Sequence, residues 1–223
     1  MDKKLSSLYR LGGLTGILSG FLMLASSVWF IIDLSSVLSL PSEEQFKLMG
    51  RIGIFHGIGV LTLILLIPTL LASYGLLSSE AGTRSILGAT FAASWLIIEL
   101  IAHCSQTAPL RALSELASES ATVSIGTSFY TLWAEWGEAL FMTGAFLCLL
   151  LAICYGSALG SWGNPVASYL FFISAIAFPI GVILFDFGIQ LHVLTRGIAF
   201  LFLGGILIPV SYTHLTLPTK RIV

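Results

Sequence analysis

Four carboxylates and three histidines stand inside or at the ends of strongly apolar stretches of this chain. Glu99 and His103 are four residues apart and Glu135 and Glu138 are three apart, so each pair shares one face of a helix. His56 lies near the start of another apolar stretch, and Asp186, Gln190 and His192 gather at the end of a further one. An ionisable group inside an apolar span is costly, and is therefore a candidate site by default. Carboxylate and imidazole together suit Zn²⁺ or another divalent ion, whose bound water could serve an intramembrane hydrolase. The same groups could relay protons, with His103 as the partner of Glu99. His56 and His103 could hold a haem if they faced each other. There is no HExxH and no sustained ligand spacing. No cofactor is therefore expected, and a divalent metal is kept only as an option.

Glu99 is the sharpest candidate. It lies within the apolar run Trp95–Ile101 and needs a partner, such as His103, His56 or Arg111. The others have a plainer reading. Glu135 and Glu138 stand beside Trp133 and Trp136, where lipid headgroups would receive them. His103 and His192 would then lie at the water boundary, and Asp186 would end a span in a loop.

The composition dictates the elements that must position these groups. Of 223 residues 57% are hydrophobic and only 9% charged, against about 25% charged in an ordinary soluble domain. Ten Lys and Arg against eleven Asp and Glu cannot coat a soluble protein of this size. That excludes a soluble globular domain, a disordered chain and a nucleic-acid binder with a basic face. Cys104, Cys148 and Cys154 form no CxxC pair and read as small hydrophobes.

The expected fold is all-α: a polytopic transmembrane helix bundle of six spans, the last truncated, forming one domain over residues 1–209. The spans cover about 11–32, 52–77, 86–104, 129–155, 166–185 and 197–209. The last apolar run, Gly197–Pro209, has 13 residues, or about 20 Å of helix where a bilayer core needs about 30 Å. Lys3, Lys4 and Arg10 place the N-terminus in the cytoplasm. The apolar run that follows continues past Ala25-Ser26-Ser27, so it reads as an uncleaved first span. Tyr9, Tyr74, Tyr155 and Tyr169 fall at one face, and Trp29, Tyr130, Trp133 and Trp136 at the other, as two interfacial belts would. With alternating spans, all the candidate site residues lie toward the Trp-rich face.

Gly12, Gly16 and Gly20 recur every four residues in the first span, and Gly53 and Gly57 repeat the pattern in the second. Such stripes let helix backbones approach closely, within the bundle or along a seam between two copies of the chain. Pro68 and Pro179 interrupt the middle helix of each three-span half, a pattern shared with transporters but also tolerated as simple kinks. Ser42 and Gln45 form a capping box ahead of the second span. Leu110, Leu113 and Leu116 suggest a segment lying on the membrane surface.

The body of the chain resembles small, uncharacterised bacterial six-span membrane proteins of the domain-of-unknown-function kind. Arg10-Leu11-Gly12-Gly13 carries the likeness, with a long fourth span that leaves through Tyr155-Gly156-Ser157 and Trp162. The resemblance implies an inner (plasma) membrane protein without an assigned activity. Residues 210–223 break the style of the chain. Val210 to Thr219 resembles a translated adapter from transposase-based sequencing libraries, encoded as GTC TCT TAT ACA CAT CTG ACG CTG CCG ACG. That implies a gene cut near Pro209, and such scars lie outside fold reasoning.

Three functions follow. The first is a non-enzymatic bundle with a structural, sensing or partner-binding role. The second is a small-solute or proton-coupled transporter, and the third a metal-dependent intramembrane hydrolase built on the Glu/His cluster. The first is preferred. The lipid bilayer is the certain partner, a homo-oligomer through Gly12, Gly16 and Gly20 the optional one, and no nucleic acid is expected.

Overall fold

The computed structural model describes residues 3–107, 123–184 and 188–216. Helices account for nearly all of them, and no strand occurs among the described residues. A segment surrounded by lipid must satisfy every backbone N–H and C=O within itself, which a helix does. Helix α1 (Lys3–Trp29) continues through one π-helical turn (Phe30–Leu34) into α2 (Ser35–Leu38). The short α3 (Ser42–Lys47) then turns the chain back into α4 (Met49–Ala81). Helices α5 (Thr83–Thr107), α6 (Val123–Ser161), α7 (Pro165–Leu184) and α8 (Gly188–Thr216) complete the bundle. Gly82 at φ +45° and Gly163 at φ +90° make the tight turns into α5 and α7, a conformation that a side chain would strain.

Among the described residues, five helical stretches are long and apolar enough to cross a membrane. They are Leu5–Val37, Gly50–Ser78, Thr83–Thr107, Ile125–Ser161 and Gln190–Tyr212. Helix α7 supplies a shorter apolar stretch, Pro165–Ile180. The helical bundle is therefore as expected, with five qualifying spans and a sixth helix whose described apolar stretch is shorter.

Each long helix packs on its neighbours in chain order, and α1 packs on α8, so six helices close into a ring. Glycine sets how closely that ring can close. A Cβ at Gly20 would stand 2.7 Å from the Gly197 carbonyl oxygen, and one at Gly204 only 2.6 Å from that of Gly13. Gly12 faces α4 instead, where a Cβ would lie 2.8 Å from the Pro68 carbonyl oxygen. Gly16 stands between, near Thr69 and Gly204. At this range Thr69 Oγ1 donates to the Gly12 carbonyl at 2.8 Å. The stripe is thus covered within the chain, and a seam between two copies along it would have to displace α8. Gly53 is buried, but Gly57 faces outward with nothing within 4 Å of an added Cβ.

Two apolar layers fill the ring. The larger includes Trp95 stacked on Phe200 (6.1 Å, 9°) with Phe171 edge-on to Phe200. The smaller, including Leu34, Phe46, Tyr130 and Trp133, closes the end where α3 lies. A cavity separates the two layers.

Several expectations are corrected. The last helix is not confined to 197–209: it starts at Gly188 and has 29 residues, so the short apolar run is not a short helix. Arg196, just ahead of that apolar run, lies inside this helix and is buried. Tyr9, Tyr155, Tyr130 and Trp133 are core residues, because an inward-facing ring serves packing at either depth; Tyr74, Tyr169 and Trp136 remain exposed. Ser42 is not the N-cap that a capping box needs. Pro41 takes the N-cap of α3, and Gln45 Nε2 donates to the Leu40 carbonyl at 2.7 Å. Asp186 and Leu110–Leu116 lie outside the described residues.

Candidate functional site

Helix α5 presents Glu99, His103 and Gln106 as one stripe, at steps of four and three residues, turned into the ring. Each is seated on a glycine of a neighbouring helix. Glu99 lies on Gly144 of α6, where a Cβ would stand 2.7 Å from its Cγ. The His103 ring lies against Gly59 of α4, and the Gln106 amide against Gly137 of α6. Any larger residue at these positions would occupy the space of the polar side chain. The stripe forms one wall of a cavity of about 400 Å³.

The deepest polar feature is an ion pair. Arg196 Nη1 donates to Glu99 Oε1 at 3.1 Å, with both side chains only 6% exposed. The guanidinium also lies over the Trp95 ring, 4.8 Å from its centroid. A buried charge is tolerable only when paired, so each side chain explains the presence of the other. The cationic face-on contact with Trp95 adds to the pair's attraction.

A second pair lies one turn further along α5. His56 Nδ1 and His103 Nδ1 are 3.1 Å apart, so one ring donates and the other accepts. Phe141 holds both, stacked on His56 at 5.5 Å and edge-on to His103 at 4.8 Å. On α8, His192 Nδ1 donates to the Ser174 carbonyl at 2.9 Å, while its ring packs on Phe178. Gln106 Nε2 donates to the Trp133 carbonyl at 3.0 Å. At the α3 end the Tyr130 hydroxyl donates to Gln45 Oε1 at 3.1 Å.

Three residues of the cavity wall each carry a buried polar atom with no hydrogen-bond partner among the described residues: Gln190 Oε1, His192 Nε2 and Arg196 Nε. Leaving such an atom unsatisfied costs about 1–3 kcal/mol. All three belong to the first turns of α8. With its Nδ1–H committed to Ser174, the neutral His192 ring offers Nε2 as an acceptor. The set therefore comprises two acceptors and one donor.

Of the residues singled out by sequence, Glu99, His103, His56, Glu138 and His192 all line this cavity. Glu138 does so from an exposed position. Glu135 is exposed and lies off the cavity. Among the described residues no three His, Cys, Asp or Glu side chains gather as a metal cage would need. Sequence reading missed Arg196, Gln106 and Tyr130, and the glycine seats. One signal was available for Arg196: it stands four residues after His192, on the same face of a helix.

The π-helical turn of the first span also borders the cavity, through Phe30 and Leu34. Single π turns recur at functional sites because they re-aim side chains within a helix. Here Asp33 accepts from Trp29 Nε1 at 2.9 Å and pairs with Arg51, tying the turn to the start of α4.

No protein-family model, curated protein or solved structure matches this chain.

Proposed function

We propose that the chain is a six-span plasma-membrane protein that binds a small solute in the cavity between its spans, as a sensing or binding bundle rather than an enzyme. A cavity of about 400 Å³ walled by Gln190, His192 and Arg196, each with a buried polar atom unsatisfied among the described residues, carries this reading. That volume falls in the range of small-molecule sites, about 300–1,000 Å³. A buried ion pair carries a desolvation cost that well-packed apolar residues would avoid. Helix α7 serves as the sixth span, since its 20 residues give about 30 Å of helix. Lys3, Lys4 and Arg10 support a cytoplasmic N-terminus.

Proton-coupled transport is the second reading, favoured by the His56–His103 hydrogen bond beside the Glu99–Arg196 pair. Pro68 and Pro179, however, stand away from the cavity wall, so no broken helix meets the solute. The hydrolase reading draws no support from the described residues, where Glu99 is committed to Arg196.

The test is thermal unfolding of the protein in lipid nanodiscs against a panel of small polar solutes. Ala145→Phe, which fills the cavity from a buried position on its wall, is the control. A solute at 100 times its Kd stabilises by about 2.7 kcal/mol, or about 5–10 °C for a chain of this size. The expected result is a shift of that order in the wild type and none in the variant. No shift with any solute, or an equal shift in both, overturns the reading.

A further inference from the structure

Resting on that reading of the cavity, we infer that its solute is a protonated organic amine carried on a small apolar body. Charge is the first argument. Glu99 and Arg196 neutralise each other, and Glu138 is the carboxylate left on the wall. It has no ion pair or hydrogen bond among the described residues, and no second Lys or Arg lines the cavity. An anionic solute would meet Glu138 and find the one guanidinium already engaged.

Hydrogen bonding is the second. Gln190 and His192 line the cavity, and each carries a buried acceptor, Oε1 and Nε2, without a partner among the described residues. An ammonium group carries only donors, and would satisfy either acceptor once a turn of that side chain brings it to the cavity. Its attached body can leave Arg196 Nε over an ether or carbonyl oxygen where one is present.

The third argument is the character of the remaining wall. Phe30 and Phe55 lie together at 5.6 Å, and Phe141 and Tyr130 complete an aromatic lining. Ring faces attract a cation within about 6 Å and equally accept an apolar body. Glu138 stands one helical turn before Phe141 on α6 and is exposed, so it marks the rim where a cation would be drawn in.

The test uses three probes of one size and three charges: 2-phenylethylamine, 2-phenylethanol and phenylacetate. Binding is measured by calorimetry to the protein in phosphatidylcholine nanodiscs, which carry no anionic headgroups to hold the amine. The amine is expected to bind about ten-fold tighter than the alcohol, and phenylacetate more weakly than both. Glu138→Gln should remove about ten-fold of the amine's affinity and leave the alcohol's unchanged, and Gln190→Leu should weaken the amine several-fold. Equal binding of amine and alcohol, tighter binding of phenylacetate, or no binding of the amine overturns the inference. So does a Glu138→Gln protein that binds the amine as the wild type does. If the alcohol equals the amine and Ala145→Phe abolishes both, the cavity reading stands and only the amine falls. Amine binding that survives Ala145→Phe refutes the cavity reading itself.

Discussion

Glu99 and Arg196 make the most informative perturbation, because their two single variants should not be equivalent. At 3.1 Å and an effective dielectric of about 20, two unit charges attract by about 5 kcal/mol. Removing one partner of a buried pair generally costs about 3–5 kcal/mol, since the other is left uncompensated. Arg196→Met leaves a carboxyl, which can discharge by taking up a proton; Glu99→Gln leaves a guanidinium, which cannot. Glu99→Gln should therefore lie at the upper end of that range even though it keeps the shape that Gly144 seats. The double variant buries no charge, and should recover to within about 2 kcal/mol of the wild type. At about 2–4 °C per kcal/mol, the single variants should unfold about 6–20 °C early and the double variant much less. Thermal unfolding in neutral detergent, followed by tryptophan fluorescence, reads all four proteins. Losses that simply add in the double variant, or a Glu99→Gln protein as stable as the wild type, would refute the coupling.

Neighbouring glycines supply further tests with built-in controls. Gly59→Ala drives a methyl into the His103 ring and should cost about 1–3 kcal/mol, whereas Gly57→Ala meets nothing and should be neutral or gain up to about 1 kcal/mol. The two melting temperatures decide it. Gly204→Ala places a Cβ 2.6 Å from the Gly13 carbonyl oxygen. Backbone cannot yield, so this variant should be as damaging as Gly59→Ala or worse, while Gly205→Ala, open to 4 Å, should melt with the wild type. Arg51→Ala breaks the pair with Asp33, whose side chains are 44% and 33% exposed. Its melting temperature should fall by no more than about 1 kcal/mol implies.

The helical bundle was legible because scarcity of charge and length of apolar run leave few alternatives. The shared depth of the candidate residues follows from the alternation of the spans, though not whether they converge. His56 falls early on α4, His103 late on α5, Glu138 early on α6 and His192 early on α8, and helices that alternate in direction bring those positions to one end. Arg196 was not legible in the same way. The stretch before Gly197 carries Asp186, Gln190, His192, Thr195 and Arg196, polar enough to read as a loop. Its helix is sustained by burial against α1 and α7, a tertiary effect that local hydropathy does not contain. The glycines show the same limit. Gly57 and Gly59 are two residues apart in one helix, and only the neighbouring helices make one a seat and the other an outward gap.

Closure of the ring by its first and last helices has a consequence in time. Glu99 is made 97 residues before Arg196, which at about 5–20 residues per second is about 5–20 s of synthesis. Throughout that interval α5 carries a carboxylate without its cation, and the wall that bears Gln190 and His192 does not exist. The cavity is thus complete only once α8 has been made. A copy made only as far as α7 carries a bare acid at membrane depth, a mark that persists until α8 docks.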